Sequence, residues 1–342
     1  GQGYTNGILK PKYDAQQDIY MDMLKELEEA VAQIGSSTTL GNSDIMFKGD
    51  TAKWKAWGNS LMLRLAMRLT KADSATAKAW AEKAVAAGTM TSNDHIAHVP
   101  HTNGPEGINQ NGHGEVFDAD GNPRISKTFA DWLKDDPRLP ILASRRSDGS
   151  TAIADLIGMP NGSTGATVAD TSIYAEPNRN VITGKDAPMV FQTYAEVRLL
   201  KAEMAFRGWS VPGSAEAHYN AGVKAAMQML SQLYTNAAVI TDAEVDAYLV
   251  KKPYDASKGW EMISEQYWAA TLFNEYESFS NWRRTGYPTL VPTSDPGSDT
   301  GGPIPRRLIW PEGEASTNAE NFAAAIARQG PNNMVTRVWW DK

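Results

Sequence analysis

The chain has 342 residues, 42% hydrophobic and 21% charged, an ordinary globular composition with enough length for one large domain or two of usual size. A net charge of -7 argues against a nucleic-acid partner, which requires a concentrated basic face, and the absence of cysteine excludes disulfides, a thiol nucleophile and Cys-type zinc sites. No apolar run approaches the roughly 18 residues of a membrane span, and no signal peptide stands at Gly1.

Asp14 to Gln17 reads as a helix start, Asp14 as N-cap with a glutamine three residues on. Ile19, Met23, Leu27, Ala30 and Ile34 then follow as one apolar stripe to Gly35. Asp50 is placed to cap a second helix, with Trp54, Trp57, Leu61 and Leu65 on one face and Arg64, Arg68 and Lys71 adding cations toward its end. A third helix, Ser74 to Ala87, closes at Gly88, and the short connection makes a helical hairpin. Residues 89 to 190 are loop-rich, as in NGPEGINQNGHGE and GMPNGSTGATVAD. Short strands or hairpins are predicted there over Glu115 to Phe129, around the turn Asp118 to Asn122, and near Ser172 to Thr183.

Thr193 to Arg207 carries Tyr194, Val197, Leu200 and Met204 on one face and halts at Gly208. The helix that begins at Ala215 has Ala217, Ala221, Gly222, Ala225 and Ala226, small enough for a neighbouring backbone to come close. The hairpins Asp50 to Gly88 and Thr193 to Leu230 each span near the roughly 34-residue tetratricopeptide period. Thr241 and Glu244 occupy capping-box positions. One long helix is predicted from Ser257 to Arg284, with Trp268, Leu272, Tyr276, Phe279 and Trp282 on one face and Trp260, Ile263 and Tyr267 beside it. Arg283 and Arg284 suit its C-terminus, Gly286 can turn left-handed and Pro288 prevents continuation, so FNEYESFSNWRRTGYP is locally a stop signal. Helical spacing assigns Trp54, Trp57, Trp268 and Trp282 to the core rather than to a binding platform. Residues 286 to 318 are loop-rich again, with PTSDPGSDTGGPIP.

Little in the chain looks catalytic. His95, His98 and His101 have a spacing that can supply zinc ligands, but Pro100 interrupts a helix through them and no carboxylate partner is evident. Asp118, Asp120 and Asn122 begin like a calcium loop, yet Pro123 stands where the EF-hand needs glycine and Phe129 where it needs glutamate, so a turn is the simpler reading. Glu275 and Glu277 point to different sides of a helix. No nucleophile elbow, zincin helix or phosphate loop is present, and neither an enzyme nor a cofactor is expected.

The order of the segments resembles the SusD/RagB family, and more closely its SusD-like branch of outer-membrane nutrient-binding lipoproteins. The stretches that carry the resemblance are ILKPKYDAQQDIYMDMLKELEEA at 8 to 30, FKGDTAKWKAWGNSLMLRLAMRL at 47 to 69, DDPRL at 135 to 139 and QTYAEVRLLKAEMAFRGW at 192 to 209. They continue with HYNAGVKAAM at 218 to 227, FNEYESFSNWRRTGYPTL at 273 to 290, PIPRRLIWPEGE at 303 to 314 and the terminal VTRVWWDK. The resemblance implies a mainly α protein of tetratricopeptide-like helical hairpins with a loop-rich remainder packed against them. It implies one domain over residues 1 to 342, with hairpins at about 14 to 88 and 193 to 230, a loop-rich insert at about 89 to 190, and a C-terminal helix and loops at about 257 to 342. It also implies a non-enzymatic subunit on the extracellular face of the outer membrane, held by an N-terminal lipid, that captures glycans, or peptides in the RagB type, and lids a SusC-like TonB-dependent transporter. The match at Ile8 to Ala30 falls well inside a family chain, so the lipidated cysteine and first helices are expected to lie outside this sequence. A helical-repeat adaptor that binds only protein is the rival reading.

A sugar site needs ring faces for the apolar side of a pyranose and amides for its hydroxyls. The loop residues that offer these are Tyr174, Asn178 and Arg179 in SIYAEPNRN, with Asn111 and His113 in INQNGHGE.

Overall fold

The computed structural model describes residues 5–37, 39–163, 167–272, 274–293 and 297–342. Phe273, which opens the aromatic stretch, and parts of the two Gly/Pro-rich segments, 164–166 and 294–296, lie outside the described residues.

Helix α1 (Gln16–Gln33) starts after Ala15, which makes no side-chain cap; Asp14 is one residue too early for that role. Its inward stripe is Tyr20, Leu24, Leu27 and Val31, which keeps Leu27 of the predicted one but otherwise lies one residue on, and Ile19 is left 44% exposed. Both stripes are apolar, and the choice is made by a close crossing: a Cβ added at Gly58 would sit 2.4 Å from Val31 Cγ2. Helix α2 (Thr51–Arg68) is capped as predicted, Asp50 accepting from the Ala52 and Lys53 amides. Helix α3 (Ser74–Ala87) is capped by Asp73 and folds back on α2.

The insert departs most from expectation. Strand β1 (Ala97–Val99) is followed by helices α4 (Gly112–Ala119) and α5 (Lys127–Trp132), which replace the predicted hairpin over 115 to 129. Asn111 and Ser126 cap these helices, while the turn signal at Asp120 to Asn122, with Asp120 accepting from the Asn122 amide, ends a helix rather than joining two strands. After α6 (Leu139–Leu142), strand β2 (Ala143–Arg145) pairs antiparallel with β3 (Ala175–Pro177), inside the predicted strand region, and β1 pairs antiparallel with β4 (Met189–Gln192).

The second hairpin follows the sequence reading closely. Helix α7 (Tyr194–Phe206) is capped by Thr193 and α8 (Ala215–Leu233) by Ser214, and a Cβ at Gly222 would lie 2.8 Å from Leu199 Cγ. The capping box of α9 (Asp242–Lys251) is formed as predicted.

The long helix predicted from 257 to 284 is two: α10 (Gly259–Ala270) and α11 (Glu275–Thr285). Thr271 Oγ donates to Tyr267 O and shares a hydrogen bond with Ser278 Oγ at 2.8 Å, while Ser278 Oγ also reaches Thr271 O and the Asn274 amide bonds Thr271 O. Local hydroxyl bonds thus take over where the helical ladder stops. Gly286 ends α11 in the left-handed conformation, φ 82°, as the stop signal requires. The chain closes with α12 (Glu314–Thr317) and α13 (Ala319–Gln329), the latter tied to the N-terminal segment by Arg328 donating to Tyr13 O.

Three buried ion pairs join the central helices two by two. Arg64 of α2 meets Glu196 of α7 at 2.5 Å, Arg68 of α2 meets Glu277 of α11 at 2.5 Å, and Arg284 of α11 meets Glu203 of α7 at 2.5 Å.

Candidate functional site

The break between α10 and α11 opens a cavity of about 480 Å³. Trp268 enters from the end of α10, Phe279 and Trp282 from successive turns of α11, Phe129 from α5 and Phe117 from α4; Arg124 and Glu275 are the charged groups on its wall. Trp268 stands edge to face with Phe129, centroids 4.8 Å apart, whereas Phe279 and Trp282 lie 6.2 Å apart with planes only 14° from parallel. Trp268 therefore serves the cavity as well as the core, whereas half-buried Trp282 lines the cavity and is not packed against that core. Helical periodicity marks the face a residue occupies and cannot say whether that face meets a neighbour or a groove.

Each ring of the pair is met by a guanidinium. The Arg283 guanidinium carbon lies 4.0 Å from the Phe279 centroid and that of Arg306 lies 4.6 Å from the Trp282 centroid. Each arginine donates to the other's carbonyl at 2.8 Å, and Arg306 is anchored by the fully buried Asp341, 2.8 Å from its Nε. Burial pushes the Arg283 guanidinium down to about 10, with Arg68 adding to the effect.

Arg124 spends its hydrogen bonds on neutral oxygens: Nη1 on the carbonyls of Gly121 and Pro123, Nε on that of Thr171. Partial burial lowers its pKa, against the pull of Glu176. The wall is thus mostly ring and aliphatic surface with two charged groups, which suits a ligand having both apolar faces and hydroxyls.

The candidates from the sequence fall into two groups away from the centre of this cavity. Asn111 is buried, donating to Ala187 O at 2.7 Å and accepting from the His113 amide, so it organises the start of α4. His113 is half-buried on the wall of a narrow space of about 40 Å³, beside Gln192, Glu196 and Asn274. Asn178 is buried and accepts from the Asn180 amide, and half-buried Tyr174 accepts at its carbonyl from the Arg146 amide. Arg179 pairs with Glu176 at 2.9 Å and donates to Phe117 O, which places it directly behind one wall of the aromatic cavity.

The metal-ligand spacings do not converge. His98, in strand β1, bonds Ile96 O, His101, in the loop that follows, bonds Asn109 O, and His95 ends a separate turn. Asp118 is occupied by Lys185 at 2.9 Å. Among the described residues no three His, Asp or Glu side chains are grouped to hold a metal.

The comparisons agree on one relationship. The profile of the SusD-like family, described as starch-binding and associating with the outer membrane, matches residues 2–311. Among solved structures, a chitin-binding protein is 34% identical with a TM-score of 0.87, the match covering 98% of this chain and 75% of that one. A SusD-like protein described as Bacteroidetes AC2a is 27% identical with a TM-score of 0.84, covering 97% and 78%. A chitin-binding SusD homologue from Flavobacterium johnsoniae is 26% identical with a TM-score of 0.80, covering 98% and 74%. No protein with a curated description matches the chain by sequence.

Proposed function

The chain belongs to the SusD-like family of glycan-binding proteins associated with the outer membrane, and from that premise we propose that it captures an oligosaccharide in the aromatic cavity between α10 and α11. The observation that carries this reading is the cavity itself: about 480 Å³, walled by Phe129, Trp268, Phe279 and Trp282, with the exposed Glu275 carboxylate on its wall to accept from hydroxyls. Relatives described as chitin-binding support a glycan cargo. Arg179 contributes by fixing Phe117, and Asn111 by fixing the start of α4. In this reading the protein sits on the extracellular face of the outer membrane, held by an N-terminal lipid, and closes over a SusC-like TonB-dependent transporter that supplies the energy for uptake. It performs no chemistry on its cargo.

Calorimetric titration with a panel of glycans and peptides tests the site. Saturable glycan binding is expected, weakened about tenfold or more by Trp282→Ala with the circular dichroism spectrum unchanged. Binding of peptides with none of glycans would replace this reading by peptide capture. Co-purification of a TonB-dependent transporter from outer membranes tests the lid; its consistent absence would remove the transporter from the proposal.

A further inference from the structure

We infer that a small void enclosed where α2, α7, α10 and α11 meet binds a single monatomic anion, chloride in ordinary solutions, as a structural part of the fold. The void measures about 10 Å³, and the side chains of Arg64, Arg68 and Arg284 stand on its wall. None of its described lining residues is a carboxylate, and it shares no lining residue with the aromatic cavity.

Two observations point to an anion. The first is a donor left over. Buried Arg68 gives Nη2 to Glu277 at 2.5 Å, but its equally buried Nη1 meets no acceptor among the described residues. Leaving a buried guanidinium N–H unmatched costs free energy, so an acceptor beside it is favoured. The polar neighbours on the wall do not supply one: the Tyr267 hydroxyl donates to Glu277, and Asn281 Oδ1 accepts from Arg284. The second is charge. The pairs Arg64–Glu196, Arg68–Glu277 and Arg284–Glu203 cancel, but Glu203 is also claimed by Arg207. Arg283 adds a further cation close enough to repel Arg68, and the carboxylate it feels, Asp341, is already shared by Lys71, Arg306 and Arg337. Cations therefore outnumber carboxylates around the void.

Size then chooses among the anions. A void of about 10 Å³ holds roughly one water-sized particle, which excludes phosphate, sulfate and carboxylate groups. A water accepts from Arg68 Nη1 but brings no charge, and it must place two hydrogens of its own against a wall dominated by guanidinium donors. A chloride only accepts, and it adds the negative charge that the surroundings lack. Bound there, it ties α2 to α11, the helix that carries Phe279 and Trp282.

The test is thermal melting of the parent protein as chloride replaces gluconate stepwise at constant ionic strength, from about 1 to about 300 mM chloride. We expect the midpoint to climb with the logarithm of chloride, by about 2 °C or more over the series, and bromide to act as chloride does. Crystals soaked in bromide should show an anomalous peak beside Arg68 Nη1. Arg68→Lys keeps a cation for Glu277 and removes that nitrogen, so its midpoint is expected to stay flat across the series; if the variant does not fold, the bromide peak in the parent decides. Identical parent melts at every chloride level would overturn the inference. A bromide peak with no chloride effect in solution would leave an adventitious ion only and overturn it as well. So would a chloride effect undiminished in Arg68→Lys, or a bromide peak elsewhere with none in the void. No glycan enters these readouts, so the cargo of the aromatic cavity is decided separately.

Discussion

Adjacent arginines with the same sequence signal have different fates. Arg283 lies over the rings of Phe279 and Trp340, whereas Arg284 turns inward and is 6% exposed, giving both terminal nitrogens to Glu203 and further bonds to Thr70 Oγ and Asn281 Oδ1. Burial disfavours the charge on Glu203, yet Arg284 and Arg207 outweigh it and hold its pKa below the ordinary value of 4.5. Removing a buried carboxylate strands its partner, at a cost of about 3–5 kcal/mol. The more exposed Arg207, 23% accessible on its side chain, contributes about 1 kcal/mol or less. Glu203→Gln is therefore expected to lower the denaturation midpoint far more than Arg207→Gln in parallel urea titrations. Equal effects would mean that Arg284 finds other partners or water once the carboxylate is gone.

At the scale of elements, the hairpins depend on close approach, and glycine shows where. At Gly222 a Cβ would press into Leu199 at 2.8 Å, so Gly222→Val overpacks the α7–α8 contact, at a cost of about 1–3 kcal/mol. At Gly112, in the first turn of α4, nothing lies within 4 Å, so Gly112→Ala is expected to stabilise by ~0.5 kcal/mol through helix propensity. Thermal melts of the two variants should move in opposite directions; a Gly222→Val that melts like the parent would mean the two helices can separate without penalty. These hairpins were legible because caps and small residues are local signals: Asp50, Thr193, Ser214 and the Thr241–Glu244 box all act within their own first turn. The break at 271 to 274 was not, because Trp268, Leu272, Tyr276, Phe279 and Trp282 keep helical spacing across it while Thr271 and Ser278 bond the backbone instead. The cavity was hidden for the same reason, since its rings sit on either side of that break. Asn111 and Asn178 are buried and hydrogen-bond within their own loops, an arrangement that polar composition alone does not separate from ligand contact.

Across the whole molecule, α2, α7 and α11 are linked pairwise by Arg64–Glu196, Arg68–Glu277 and Arg284–Glu203, a charge-balanced triangle that includes the helix carrying Phe279 and Trp282. Burial disfavours the charge on Glu277, but Arg68 and Arg64 overcome it, so Glu277, like Glu203, stays ionised in the folded chain below the ordinary value of 4.5. The unfolded chain protonates these groups first; their stabilisation is complete above that value and is lost as pH falls through the depressed native values. His218 acts earlier. Burial, with Arg198 nearby, pushes its pKa from 6.5 down to about 4, while its Nε2 lies 2.8 Å from Pro212 O. Between those two values the unfolded chain binds a proton that the folded chain refuses, so stability falls with pH at up to ~1.4 kcal/mol per unit. Acid unfolding is thus expected in two stages: a shallow limb beginning below about 6.5 from His218, and a steeper one below 4.5 from Glu203 and Glu277. His218→Gln should flatten the first limb and leave the second, read as denaturant midpoints across the pH series. If the shallow limb survives that substitution, another group carries it; if the steep limb is missing from the parent, the buried carboxylates are not held ionised and the triangle does not set the acid limit of the fold.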